Sequence, residues 1–140
     1  MLSYFGPSIR KSFKLGTLYE DARRDVYRAW VPGYEEVGDT AFITFDAFTV
    51  NRTDYYDPTI NFNDPQDTID LIIYANRQIK LEGSPIKNIV LDLSNNGGGN
   101  ADAAIFVISW FLGEADIVLR DTFTGAESNA IYLADVNLDG

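Results

Sequence analysis

"LDLSNNGGGNADAA", Leu91 to Ala104, decides how this chain is read. The aliphatic run "IKNIVLDL" stops at Leu93, Asn95, Asn96 and three glycines follow, and a second apolar run begins. A short, nearly continuous apolar run is the pattern of a strand covered on both faces. "NADAAIFVISWFLG" reads as a helix that Asn100 caps, that Asp102 favours at its positive end and that Gly113 stops. Its residues are apolar almost all round, as in a buried helix. The glycines therefore sit between the end of a strand and the start of a helix, at the edge of an open α/β sheet where ligands bind.

The reading extends outward in both directions. "DTAFITFDAFTV" alternates Ala41, Ile43, Phe45 and Ala47 with more mixed positions and predicts a strand. "NRTDYYDPTINFNDP" is a polar, turn-rich loop. "PQDTIDLIIYANRQIKLEG" predicts a helix, with Asp64 as N-cap, Pro65 as first residue and Gly83 as stop. After the glycine loop and its helix, "ADIVLRDTF" and "AIYLADV" predict two strands joined by a turn at "TGAESN". Nearer the N-terminus, "TLYEDARRDVYRAW" predicts a helix capped by Thr17, and "VPGYEEVGD" reads as a loop. The organisation is an N-terminal helical segment, residues 1–36, and an α/β core, residues 37–140. Alternating strands and helices imply a layered core with parallel pairing.

Composition bounds the function. The chain has 140 residues, 46% of them hydrophobic, and a formal net charge of -10. Such acidity opposes a nucleic-acid backbone, which needs clustered Lys and Arg. There is no cysteine and no histidine. Thiolate catalysis, zinc–thiolate sites and a complete Ser-His-Asp triad are excluded within these residues. No cofactor is required by any motif, and any metal would take oxygen ligands. No apolar run reaches membrane-spanning length.

Three consecutive glycines free the backbone to present N–H groups to a negative charge at a helix N-terminus. A dinucleotide fingerprint fails because its third glycine falls on Asp102, and the Lys of a phosphate loop is missing. A transient acyl oxyanion fits better.

At this point the residues carry a resemblance. "IKNIVLDLSNNGGGNADAAIFVISWFLG", preceded by "VGDTAFITFDAFT", resembles the strand–loop–helix signature of the tail-specific, or C-terminal-processing, serine peptidases, over roughly residues 37–121. The resemblance implies a ClpP/crotonase-like layered core of parallel strands and helices, incomplete in this chain. It implies a serine-type peptidase acting on a peptide or protein substrate, with a glycine-loop N–H in the oxyanion hole. By position that donor is Gly98, with Gly97 the next choice. Ser94 stands where the family usually has Arg, and Gly97 where Pro is common. The family's nucleophilic Ser and its Lys follow later strands, so both are expected outside these residues and this chain is expected to be inactive alone. Family habit also implies an extracytoplasmic or secreted protein. An incomplete core is expected to self-associate through exposed edges. Two alternatives stay open: a non-catalytic ligand- or peptide-binding module of the same fold, and a crotonase-like acyl-thioester enzyme.

The last residues hold a second pattern. "DVNLDG" matches the opening of a calcium loop, with Asp135, Asn137 and Asp139 as oxygen ligands. Calcium is thus a possible metal of a complete protein, while an ordinary polar turn explains the same residues.

Overall fold

The computed structural model describes residues 33–139. The helix expected near residues 17–30 lies outside them, as do residues 1–32 of the N-terminal segment; residues 33–36 begin the first strand.

Strand β1 (Gly33–Val37) pairs antiparallel with β2 (Thr40–Thr44) across a two-residue turn at Gly38-Asp39. Its described part, "GYEEVGD", residues 33–39, is therefore half a hairpin rather than the loop that "VPGYEEVGD" suggests. Gly38, at φ 65, supplies the positive φ that a turn this tight demands. Helix α1 (Thr68–Ile79) crosses over to β3 (Asn88–Asp92), which lies parallel to β2 in register Ile43↔Leu91. The sheet order is β1-β2-β3. Helix α2 (Ala101–Leu112) follows the glycines, and β4 (Ala115–Arg120) and β5 (Glu127–Tyr132) form a separate antiparallel pair. The fold is mixed α/β, with one parallel pairing and two antiparallel ones among the described residues. The last two strands pair antiparallel because the link between them is a short turn: Asp121 accepts from the Phe123 and Thr124 N–H groups, and Gly125 turns at φ 72.

The cap of α1 differs from expectation. Asp67, not Asp64, is the N-cap, and its carboxylate accepts from the Asp70 N–H at 2.9 Å. Asp64 and Pro65 lie in the preceding turn because Asp67 is followed three residues on by Asp70, whose carboxylate accepts from the Gln66 N–H. The helix ends at Ile79, before Gly83. Asn100 does cap α2, accepting from the Asp102 and Ala103 N–H groups, and Gly113 ends it at φ 85.

The core gathers around α1. Ile43 and Phe45 from the β2 side meet Leu71, Ile72 and Ala75 of α1, Val107 of α2 and Val136. A second cluster joins Phe62, Ile69, Ile73 and Ala103. The Trp110 indole N–H donates to the buried Asn76 side-chain oxygen at 3.2 Å, tying α2 to α1. Two expectations fail here. Strand β3 is largely exposed, with only Leu91 half-buried, because among the described residues β2 pairs with it and little else covers its faces. Helix α2 buries Ala103, Val107 and Ser109 but exposes Ile108, Phe111 and Leu112, since described elements pack against only part of its circumference.

Candidate active site

The glycine loop is held by a backbone ladder that starts at α1. Thr68, at the first turn of α1, donates its hydroxyl to the Ala47 carbonyl and accepts from the Thr49 N–H. Its own N–H donates to the Thr49 carbonyl. Residues 47–49 are thereby fixed against a buried helix end. Buried Asp67 adds to this by accepting from the Asn51 N–H and the Tyr55 hydroxyl, and Arg52 makes a bidentate pair with buried Asp70. Burial, then the bond to Asp67, pushes the Tyr55 phenol well above its ordinary range.

The anchored segment then grips the loop. The Gly97 N–H donates to the Asp46 carbonyl, the Phe48 N–H to the Gly98 carbonyl, and the Asn100 N–H to the Phe48 carbonyl, each at 2.8 Å. This is a parallel bridge between Phe48 and Gly99. Three glycines thus have three tasks. Gly97 closes on Asp46. Gly98 takes φ 99 in open surroundings, where a β-carbon would meet nothing. Gly99 takes φ 136 and presses on the Phe48 backbone, where a β-carbon would overlap the carbonyl oxygen.

Two side chains finish the turn. Asp92, at the end of β3, accepts from the Ser94 N–H, and bonds from the Ser94 side chain and then its N–H hold the carboxylate below its usual range. The Asn96 side-chain oxygen accepts from the Gly98 N–H at 2.8 Å, while its amide donates to the Phe45 carbonyl at 3.2 Å. Among the described residues, no acceptor meets the Gly99 N–H, and the bridge geometry turns it away from Phe48. Gly97, Gly98 and Gly99 are exposed. The arrangement is an open, positively polarised backbone surface at the start of α2.

A model of peptidase family S41 matches residues 60–135, more than half of the chain. The chain belongs to peptidase family S41. The matched span includes α1, β3, the glycine loop, α2 and the β4–β5 hairpin, so the resemblance read from the loop and the family assignment agree. No curated protein and no solved structure matches the chain.

The S41 membership makes the serines and lysines worth placing. Ser94 lies beside Asp92, the Ser109 hydroxyl donates to the Ile105 and Tyr132 carbonyls, and the Ser84 hydroxyl accepts from the Ile86 N–H. Lys80 and Lys87 are exposed. Among the described residues, no serine hydroxyl is bonded to a lysine.

The calcium-like turn is bonded to its own backbone. One Asp135 oxygen accepts from the Leu138 and Asp139 N–H groups, and the other accepts from the Tyr56 hydroxyl at 2.7 Å. Asn137 and Asp139 are exposed, and among the described residues no three acidic side chains gather as for a metal ion. A polar surface hollow of about 390 Å³ is lined by residues 51–54, 57 and 59–61, and none of these belongs to the glycine loop.

Sequence reasoning selected the loop but missed its clamp. Asp46 and Phe48 act through backbone atoms, which leave no side-chain signature in the sequence. Asn96 carried a signal, since Asn readily bonds the backbone two residues on.

Proposed function

We propose that this chain supplies the oxyanion wall of a serine-type peptidase active site. The observation that carries the reading is the Gly98 N–H: it lies in an exposed loop at the start of α2 and is held by a side chain rather than by the sheet. An acyl oxygen can take over such a donor without breaking the fold. Gly97 is the weaker candidate, because its N–H is engaged by the Asp46 carbonyl. The N–H would stabilise the charge that develops when a serine alkoxide attacks the peptide carbonyl, assisted by the positive end of α2. The substrate is a peptide or protein. The nucleophile and base come from outside these 140 residues. The tail-specific subclass follows from the "DLSNNGGG" resemblance.

The test is hydrolysis of an unstructured peptide by this chain and by any longer product of the same gene. The 140-residue chain is expected to be inactive. A product carrying a serine in a small-residue context, then a lysine, is expected to cleave. Replacing the Gly98 N–H by an ester oxygen should lower its kcat by about 10²–10³-fold with KM little changed. Cleavage by the 140-residue chain that survives Ser94→Ala overturns the external nucleophile.

Self-association belongs to the same proposal. Leu112 on α2, Val118, Leu119 and Ile131 on the β4–β5 hairpin, and Leu133 just after it are each more than half exposed. Sedimentation equilibrium should show mass rising with concentration, and a strictly monomeric chain at high concentration overturns it.

A further inference from the structure

The Asn96 side chain is bonded at both ends. Its oxygen faces a donor, the Gly98 N–H, and its nitrogen faces an acceptor, the Phe45 carbonyl. The two partners agree on the orientation of the amide. The side chain is half-buried and reaches from the loop to the end of β2, while Gly98 beyond it is exposed. The Gly98 N–H, in the peptide that joins it to Gly97, is bonded to the Asn96 oxygen, while the Gly98 carbonyl, in the next peptide, accepts from the Phe48 N–H.

From this geometry we infer that the Asn96 carboxamide is a placeholder for the acyl oxygen: it satisfies and aims the Gly98 N–H before substrate binds and withdraws when an oxyanion arrives. The inference rests on the reading of Gly98 as the oxyanion donor. Asn96 is a positioning residue, since it acts through the Gly98 peptide. Its carbonyl is a neutral acceptor, and a charged oxygen forms the stronger bond to the same N–H. The exchange therefore favours the developing charge of the transition state over the neutral carbonyl of the bound substrate, which is the differential binding that accelerates the chemical step. The Phe45 carbonyl is left behind as the tether that returns the side chain after release.

The test uses the ¹⁵N-labelled 140-residue chain, with hydrogen exchange read at Gly97, Gly98, Gly99 and Phe48. N-acetylalanine serves as the probe, because its carboxylate mimics the product end of a cleaved peptide. In the wild type, the Gly98 N–H should exchange at least about tenfold more slowly than the open Gly99 N–H, as a single satisfied bond requires. Asn96→Ala should abolish that difference, with Gly97 and Phe48 within about twofold of wild type. N-acetylalanine should shift the Gly98 amide proton, and should bind Asn96→Ala about fivefold more tightly, the equivalent of one neutral hydrogen bond no longer displaced. Asn96→Asp keeps an acceptor for the Gly98 N–H but loses the donor to the Phe45 carbonyl, and it should bind the probe more weakly than the wild type, because two carboxylates then meet at Gly98.

The failures separate. Gly98 exchanging as fast as Gly99 in the wild type overturns the placeholder. So does a Gly98 shift with no gain in affinity in Asn96→Ala, while leaving the oxyanion reading standing. No Gly98 shift in either protein overturns the oxyanion reading and the placeholder with it. If Asn96→Ala loosens Gly97 and Phe48 as well, the wild type decides: a probe that shifts Gly98 should also shift the Asn96 side-chain amide signals as the carboxamide withdraws, and a Gly98 shift with those signals unmoved overturns the placeholder.

Discussion

The Phe48 carbonyl occupies the space into which a side chain on Gly99 would project, and the same oxygen accepts from the Asn100 N–H that opens α2. The contact joins the segment after β2 to the loop after β3, more than 50 residues apart in sequence. It distinguishes glycines that look alike in the sequence. Gly99→Ala must overcome both a left-handed backbone and a collision with main chain, and should cost about 2–5 kcal/mol. Gly98→Ala meets open space and should cost about 1–2 kcal/mol from its backbone alone. Urea unfolding of the two variants checks the order, and equal midpoints would contradict it.

Asp67 carries more of the loop's support than an N-cap alone. Its carboxylate accepts from the Asp70 N–H, the Asn51 N–H and the Tyr55 hydroxyl, all in a fully buried position. Asp67→Ala strands several donors and should destabilise by about 2–4 kcal/mol. Asp64→Ala, at the position that the sequence favours as cap, should change stability by less than about 0.5 kcal/mol. Thermal unfolding of both variants checks this contrast.

The tyrosines set an alkaline signature. Burial, then the bond to Asp67, raises the Tyr55 phenol, and burial followed by the bond to Glu36 raises Tyr34. A raised folded value means that the fold retains the proton. The stabilisation is fully present below the ordinary tyrosine value of about 10 and is lost as pH rises through the folded value. The bond to Asp135 raises the Tyr56 phenol as well, so ultraviolet titration of the folded chain should show three phenols, Tyr34, Tyr55 and Tyr56, ionising above the ordinary tyrosine value, and Tyr55→Phe should remove one of them. A Tyr55→Phe difference that titrates at the ordinary tyrosine value would contradict the geometry.

The turn at residues 135–139 should behave as a turn. Asp135 accepts from the Leu138 and Asp139 N–H groups and from Tyr56, so its oxygens are engaged within the chain. Calorimetric titration with calcium chloride should give no micromolar binding to this chain. Tyr56→Phe should instead lower the thermal unfolding midpoint slightly, through the loss of one surface hydrogen bond. Micromolar calcium affinity would contradict this.

The sequence by itself determined the elements whose signals are local. The alternation in "TAFITF" marks β2, the isoleucine spacing marks α1, Asn100 and Gly113 bound α2, and the glycine cluster marks the candidate site and the S41 resemblance. Each rests on periodicity, capping or backbone freedom, which a stretch of ten to fifteen residues contains. The tertiary structure alone decided the rest. It chose Asp67 over Asp64, because two donors distant in the chain, the Asn51 N–H and the Tyr55 hydroxyl, converge on the carboxylate that also takes the Asp70 N–H. It left β3 exposed among the described residues, because burial depends on neighbours and not on the apolar content of the strand. It also gave the three glycines separate roles: Gly97 and Gly99 are committed to Asp46 and Phe48, and the Gly98 N–H rests on the side chain of Asn96 alone. Main-chain contacts across the fold draw that distinction, and main chain is the same at every glycine until the fold brings it together.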